Sequence, residues 1–494
     1  EIMPSLVGSE MCIRDSFNSD NYKVENFTFA DGTTLQANKI GFTIKIEDYA
    51  ETINGTSFAD IINGNDGNDT IDAGTGNNII NGGNGNDTIT TGVGDDVISG
   101  GKDNDILNGG SGSDTYKYNL GDGYDEITDA AGVSDRISFG SGISYNDLTF
   151  RAEGSHLRII VKGDETQGIL IKEALNNSSY AIDYLDFADG SSVPFSSTGL
   201  TFAQKEITET INATNFDDIV NAEAGNDTIN AKDGNDILNG GAGEDVLNAG
   251  NGNDVLNGGV GKDTLNGEAG DDTYIWNLGD GKDVITDTAG FDKISFGTGI
   301  SRNDLSFRAE GNNLFIYVKG DDTQGLVITN ALNNNGYCIE NITFADGSSL
   351  SLQNTGYTFD QTSLHETINA TIYNDTINAR AGNDTINANN GDDIINAGAG
   401  NDIITAGAGD DVIMAGAGND TIYGGAGANV YKFEVGFGKD TLNNFDGNNA
   451  PTGSVNKADI IEFGEGINPA DVQMSRDYLD LILTVGNDKL TIYK

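Results

Sequence analysis

An acidic residue returns every nine positions through much of this chain, usually behind a glycine-rich run and two residues ahead of an aliphatic one. Twenty-one such units occur in three runs of seven, and 19 of them carry Asp at the sixth place. The first run supplies Asp60, Asp69, Asp87, Asp96, Asp105 and Asp114, with Asn78 interrupting it. The second supplies Asp218, Asp227, Asp236, Asp245, Asp254, Asp263 and Asp272. The third supplies Asp375, Asp384, Asp393, Asp402, Asp411 and Asp420, and ends on Asn429. Asp125, Asp283 and Asp440 each follow the last sixth-place residue of their run, Asp114, Asp272 or Asn429, at one common offset. Carboxylates in this arrangement suit hard cations. Oxygen donors without His or Cys, held in flexible Gly-rich loops, favour Ca²⁺ over Zn²⁺, and over Mg²⁺ with its stricter octahedral demand. These 22 aspartates are the candidate ligands for several Ca²⁺ ions.

The elements that must position them follow from the same units. Glycine ahead of each Asp permits a tight turn with backbone angles other residues avoid, and the residues after it, as in DTID at 69 to 72, are strand formers. Strand side chains alternate, so the eighth-place aliphatic points inward. In the first run that inward set is Ile62, Ile71, Ile80, Ile89, Ile98, Leu107 and Tyr116. Two nonapeptides make one coil, and coils stack about 4.8 Å apart. Turns separated by two units then align, with Asp60, Asn78, Asp96 and Asp114 along one edge and Asp69, Asp87 and Asp105 along the other. Such columns of carboxylates repel themselves unless cations intervene. Asn78 and Asn429 remove a charge, so the sites they border are expected to be weaker or empty. Asp103 stands where a turn glycine is the rule, and the backbone is expected to differ there. Many first-place glycines are Ala, as at Ala73 and Ala231, a mild change. Glu51, Glu209 and Glu366 sit one unit ahead of each run, where a longer carboxylate caps the edge.

Units such as GGNGNDTIT at 82 to 90 and GGSGSDTYK at 109 to 117 resemble the RTX, or haemolysin-type, calcium-binding repeats of pattern GGxGxDxUx. The resemblance implies a parallel β-roll in which sixth-place Asp and turn carbonyls bind Ca²⁺ between successive turns. It also implies a chain that stays unfolded in a low-calcium cytosol, leaves through a type I secretion machinery and folds outside a bacterial cell.

A longer period lies above the short one. FADG recurs at 29, 187 and 344, with steps of 158 and 157, and Tyr116, Tyr274 and Tyr431 keep the same spacing. Each long unit is a nonapeptide run followed by a non-repetitive segment. Aromatic pairs, Tyr116 with Tyr118, Tyr274 with Trp276 and Tyr431 with Phe433, close the core after each run, and Asp125, Asp283 and Asp440 belong to an eighth, stretched unit. Between runs the period falls to two. Leu148, Phe150, Leu157, Ile159 and Val161 read as a hairpin around Gly154, repeated by Leu305, Phe307, Leu314, Ile316 and Val318. These segments resemble the haemolysin-type calcium-binding-related domain and are read as small β spacers packed on the neighbouring coils.

The expected fold is all-β: three parallel β-roll blocks of about seven nonapeptides each, separated by small antiparallel spacers. The blocks are placed at 51–130, 209–288 and 366–445, with spacers at 131–208 and 289–365 and truncated ones at 17–50 and 446–494. Residues 1–16, EIMPSLVGSEMCIRDS, are out of character with the rest, resemble translated sequencing-adapter sequence and are set aside. The chain enters and leaves the long period at equivalent points. It is therefore expected to be a piece of a longer tandem array whose signals lie outside it.

With 26 basic and 77 acidic residues the formal charge is −51, which disfavours nucleic acid and anionic membrane as partners. No apolar stretch approaches the ~18 residues needed to span a bilayer, so no membrane insertion by this stretch is expected. Two cysteines allow no disulfide framework, and Cys338 is read as buried and inert. His156 and His365 do not recur across the copies and are read as structural or surface residues. No Ser-His-Asp set, HExxH motif or nucleophile elbow occurs, so no enzyme is expected. The leading function is a secreted, calcium-folded array, the stalk or passenger of a large adhesin-like protein whose surface ligand is unknown. The alternative is the accessory region of a secreted toxin or hydrolase whose catalytic domain lies elsewhere. Seventh-place residues are apolar on one sheet (Ile61, Ile79, Val97; Ile219, Ile237, Val255) and mainly Thr on the other (Thr70, Thr88; Thr228, Thr264). The apolar sheet is expected to be covered by a connecting segment or another chain.

Overall fold

The computed structural model describes residues 26–28, 34–36, 43–45, 48–129, 134–175, 182–195, 198–332, 339–352, 356–443 and 459–493. The adapter-like residues 1–16, the first FADG and Cys338 lie outside them. The chain is all-β, with the 3-10 turns Tyr145–Asp147 and Arg302–Asp304 between strands. It divides into two compact units, Glu1–Lys205 with Thr210–Ala222, and Glu206–Glu209 with Glu223–Lys494.

In the first unit the chain coils as the nine-residue period demands. Strands Ile61–Asp66, Ile79–Asn84 and Val97–Lys102 pair in parallel, each with the strand two nonapeptides further on, Ile62 on Ile80 and Ile80 on Ile98. The opposite wall stacks Thr52–Thr56, Thr70–Gly74, Thr88–Thr90 and Ile106–Asn108 in the same way. A narrow apolar interior results. Ile62, Ile71, Ile80, Ile89, Ile98, Leu107 and Tyr116 are all buried, as is first-place Ala73. Small first-place residues are needed because that position also faces inward.

The turns need left-handed backbone. Gly243, at φ 151, also lies so close to the Gly225 carbonyl oxygen that a β-carbon would collide with it. Asp103 keeps a positive φ of 78, against 119 for Gly85 in the preceding glycine-type turn on that edge. The replacement shifts the turn without removing its handedness.

The connecting segments are hydrogen-bonded into the walls. After the last nonapeptide, Tyr124–Thr128 extends one wall and pairs in parallel with Asp164–Ile171. The chain then forms an antiparallel meander of Leu148–Glu153, His156–Val161 and Asp164–Ile171, with Gly154 at the hairpin tip. Its outer strand pairs in parallel, Phe150 on Phe202, with Thr201–Ala203, which in turn pairs with Ile219–Asn221. The other wall continues through Arg136–Phe139 to Tyr184–Phe187, also in parallel.

The second unit repeats this plan. Thr228–Asp233, Val246–Asn251, Thr264–Ala269 and Lys282–Ala289 stack in parallel and lead into the meander Leu305–Glu310, Asn313–Val318, Asp321–Ile328. Phe307 then pairs with Phe359, where the next roll begins. That roll stacks Thr367–Asn369, Thr385–Asn387, Ile403–Thr405 and Thr421–Tyr423 on one wall.

Among the described residues no connecting segment covers the apolar sheet. Ile61 and Ile79 are 42% and 49% exposed, and Thr70 and Thr88 on the facing wall are exposed too. The connecting segment after the first roll joins its end and uses Ile137, Phe139, Leu185 and Phe187 to prolong the interior.

Nearest-neighbour stacking dominates the stability of such a coil. Leu247 sits fully buried between Ile229 and Leu265 in the stacked interior. Leu247→Ala is expected to cost about 2–5 kcal/mol, read by chemical denaturation in saturating calcium.

Candidate metal centre

Every sixth-place carboxylate turns inward at the edge of a roll, and Asp69, Asp87 and Asp105 are each 1% exposed. One oxygen is committed to the coil. The Asp69 N–H donates to Asp87 Oδ1 at 2.7 Å, the Asp87 N–H to Asp105 Oδ1 at 2.7 Å, and the Asp105 N–H to Asp125 Oδ1 at 3.1 Å. On the other edge the ladder runs Asp60 to Asn78, Asn78 to Asp96 and Asp96 to Asp114.

In the second unit Asp227, Asp245, Asp263 and Asp283 form one ladder, and Asp236, Asp254 and Asp272 the other. The third roll gives Asp384, Asp402, Asp420 and Asp440, opposite Asp375, Asp393, Asp411 and Asn429. Asp218 accepts the Leu200 N–H at 2.5 Å in the first unit. Asp125, Asp283 and Asp440 thus enter the columns as the stretched unit requires, slightly further along the chain than a regular repeat would place them. Glu51, Glu209 and Glu366 start their ladders, their backbone N–H groups donating to Oδ1 of Asp69, Asp227 and Asp384 at 2.7 to 2.8 Å.

The second oxygen separates the sites into two kinds. In Asp69, Asp87, Asp105, Asp245, Asp263, Asp393, Asp402 and Asp440, among others, Oδ2 is buried without a hydrogen-bond partner. A buried carboxylate oxygen left so costs several kcal/mol unless a cation meets it. The columns therefore fit Ca²⁺, with the carboxylate supplying charge and the Gly-rich turn supplying flexible oxygen donors. At Asp60, Asp218 and Asp375 the glycine turn is replaced by one carrying Thr at the second place. There Oδ2 accepts both the N–H and the hydroxyl of Thr56, Thr214 or Thr371, at 2.6 to 2.8 Å. Those three oxygens are already engaged by protein donors.

Asn78 keeps the ladder through its Oδ1, but its amide donates to the Gly76 carbonyl at 2.8 Å. The exchange replaces an acceptor with a donor and uses up a turn carbonyl.

Burial pushes the column carboxyls up, against the pull of the backbone N–H each accepts, and neighbouring carboxylates add to the rise. Asp87 and Asp411 reach about 6, Asp105, Asp114, Asp263, Asp272 and Asp420 about 7, and Asp125, Asp283, Asp393 and Asp440 about 8.

Two features escaped the sequence reading. The fifth-place residues form a second ladder running the opposite way, as in Asn86 N–H to Asn68 Oδ1 and Asn104 N–H to Asn86 Oδ1, each 3.0 Å. The recurrence of Asn and Asp at that place was the available signal. His365 belongs to it, accepting the Asn383 N–H through Nδ1 at 2.5 Å, a structural role. The columns also continue past the repeats: the Asp114 N–H donates to Asp135 Oδ1, the Asp272 N–H to Asp292 Oδ1 and the Asn429 N–H to Asp459 Oδ1, at 2.7 to 2.8 Å. These last aspartates follow at irregular spacing, so periodicity could not find them.

A family profile described as the RTX calcium-binding nonapeptide repeat (4 copies) matches residues 47–80, 81–116, 208–238, 239–274, 369–404 and 397–431. A second, the haemolysin-type calcium binding protein related domain, matches 10–39 and 313–354. No curated protein sequence matches the chain. Among solved structures, the extracellular lipase LipA from Serratia marcescens aligns at 18% identity and a TM-score of 0.18. The alignment covers 55% of this chain and 38% of the lipase, so the chain spans well under half of that protein's length. The first profile falls on the repeats and their edges, and the second on a connecting segment and, at 10–39, on the truncated one together with part of the residues set aside as adapter-like; the chain belongs to the RTX, haemolysin-type calcium-binding repeat proteins.

Proposed function

We propose that this chain is a non-catalytic, extracellular array whose folding is switched on by calcium, the stalk or passenger region of a large adhesin-like protein exported by type I secretion. The observation that carries the reading is the set of buried Oδ2 atoms without partners, repeated along all three rolls. In calcium-poor surroundings those oxygens oppose folding, and the Gly-rich chain gains more by staying open. Calcium at about 10⁻⁴ to 10⁻³ M, the range of extracellular modules, turns binding free energy into folding free energy. A chain that folds only at such levels can cross an export channel unfolded. Rolls that alternate with meanders built into the same sheets suit a repeated spacer that holds something away from the cell.

Far-UV circular dichroism during a calcium titration at pH 7.5 tests this. The midpoint is expected between about 10⁻⁴ and 10⁻³ M. A submicromolar midpoint would mean folding before export and would sink the proposal.

A further inference from the structure

Three buried carboxylates converge where each of the first two rolls closes. Asp114, Asp129 and Asp135 each place a carboxylate oxygen within 4.8 Å of the others, and Asp272, Asp287 and Asp292 do the same. None of the six is more than 2% exposed. They come from different stretches of chain. Asp114 ends the last glycine-rich turn, Asp129 follows the closing strand Tyr124–Thr128, and Asp135 precedes Arg136–Phe139 of the connecting segment.

Their remaining contacts hold the oxygens in place. Asp135 Oδ1 accepts the Asp114 N–H and Asp292 Oδ1 the Asp272 N–H, both at 2.8 Å. The Tyr116 hydroxyl donates to Asp129 Oδ2 at 2.8 Å while accepting the Gly109 N–H, and the Tyr274 hydroxyl donates to Asp287 Oδ2 at 2.5 Å. Oδ2 of Asp114 and Oδ2 of Asp272 are buried with no hydrogen-bond partner. A β-carbon on Gly267 would collide with the Tyr274 hydroxyl, Asp272 Oδ2 and Asp287 Oδ2, and one on Gly109 with Asp114 Oδ2 and the Tyr116 hydroxyl. The oxygens face a common space that glycine leaves open.

The third copy supplies the contrast. Its corresponding places hold Asn429, Asn444 and Asp459. The Asn429 N–H still donates to Asp459 Oδ1 at 2.7 Å, so this part of the frame persists while two of the three charges are gone. If the frame alone required carboxylates, both would not have been exchanged together.

We propose that each triad is a separate calcium site, tying the closing end of its roll to the connecting segment in the first two copies. Its ligands come from outside the nonapeptide pattern as well as from its last turn. The proposal rests on the calcium-folded reading of the array and adds sites to it.

The test counts calcium bound by the full chain at saturating calcium, by equilibrium dialysis. The Asp129→Asn/Asp287→Asn double variant is expected to bind two ions fewer than the wild type, with an unchanged circular dichroism spectrum. Equal stoichiometry for both proteins overturns the proposal. Should the double variant fail to fold, Asp135→Asn/Asp292→Asn decides, since Asn keeps the Oδ1 that accepts the Asp114 and Asp272 N–H groups; two ions fewer support the sites and an unchanged count refutes them. A wild type that binds no calcium at all would overturn the array reading itself, a different failure.

Discussion

Stripping calcium at pH 8 is expected to abolish the β signal of the whole array, and acidifying the stripped protein to pH 5 to restore part of it. The sign follows from the column carboxyls. Their folded-state values of about 6 to 8, as at Asp87, Asp263 and Asp393, lie above the roughly 3.9 of an unfolded Asp. The calcium-free roll therefore binds more protons than the unfolded chain. That contribution is complete below about pH 4 and lost as pH rises through 6 to 8. With calcium the dependence reverses, because the metal needs deprotonated ligands and its affinity grows with pH. Circular dichroism on resin-stripped protein across pH 5 to 8 reads both directions. A stripped protein more structured at pH 8 than at pH 5 would contradict the assignment of the columns as mutually repelling, desolvated carboxylates.

The second large effect separates the two kinds of aspartate. Asp245→Asn keeps the Oδ1 that accepts the Asp227 N–H but removes the charge from an Oδ2 without a protein partner. It is expected to lose bound calcium and to raise the folding midpoint about tenfold or more, the scale on which perturbed metal sites respond. Asp375→Asn meets a different environment, since Oδ2 there accepts the Thr371 N–H at 2.8 Å. An amide in that place would point a donor at a donor, leaving a buried N–H unsatisfied at a cost of about 1–3 kcal/mol. Stability should fall with the calcium count unchanged. Identical calorimetric stoichiometry for the two variants would erase the distinction.

The coil itself was legible because its determinants are local. Glycine before Asp sets the turn, alternation buries Ile71 and Ile89, and two units to each coil make the register that sets Thr70 on Thr88. The stretched closing units were legible for the same reason, since Asp125, Asp283 and Asp440 keep one fixed offset. Where the connecting segment docks was not legible, because hydrophobicity at Ile61 and Ile79 says that a face is apolar and nothing about which part of the chain meets it.

The sequence by itself determined the coil, its handed turns, its inward aliphatic column and its preference for calcium, since each is repeated in every unit and needs only near neighbours. Tertiary structure decided which carboxylate oxygens already have protein donors. Thr56, Thr214 and Thr371 each give an N–H and a hydroxyl to one of them through hydrogen bonds that depend on the turn geometry. Asp129, Asp135, Asp287 and Asp292 join the buried set only because the chain beyond each roll folds back against its last turn. Periodicity encodes what stacks on its own copy; contacts between a repeat and the irregular chain beside it have no period to reveal them.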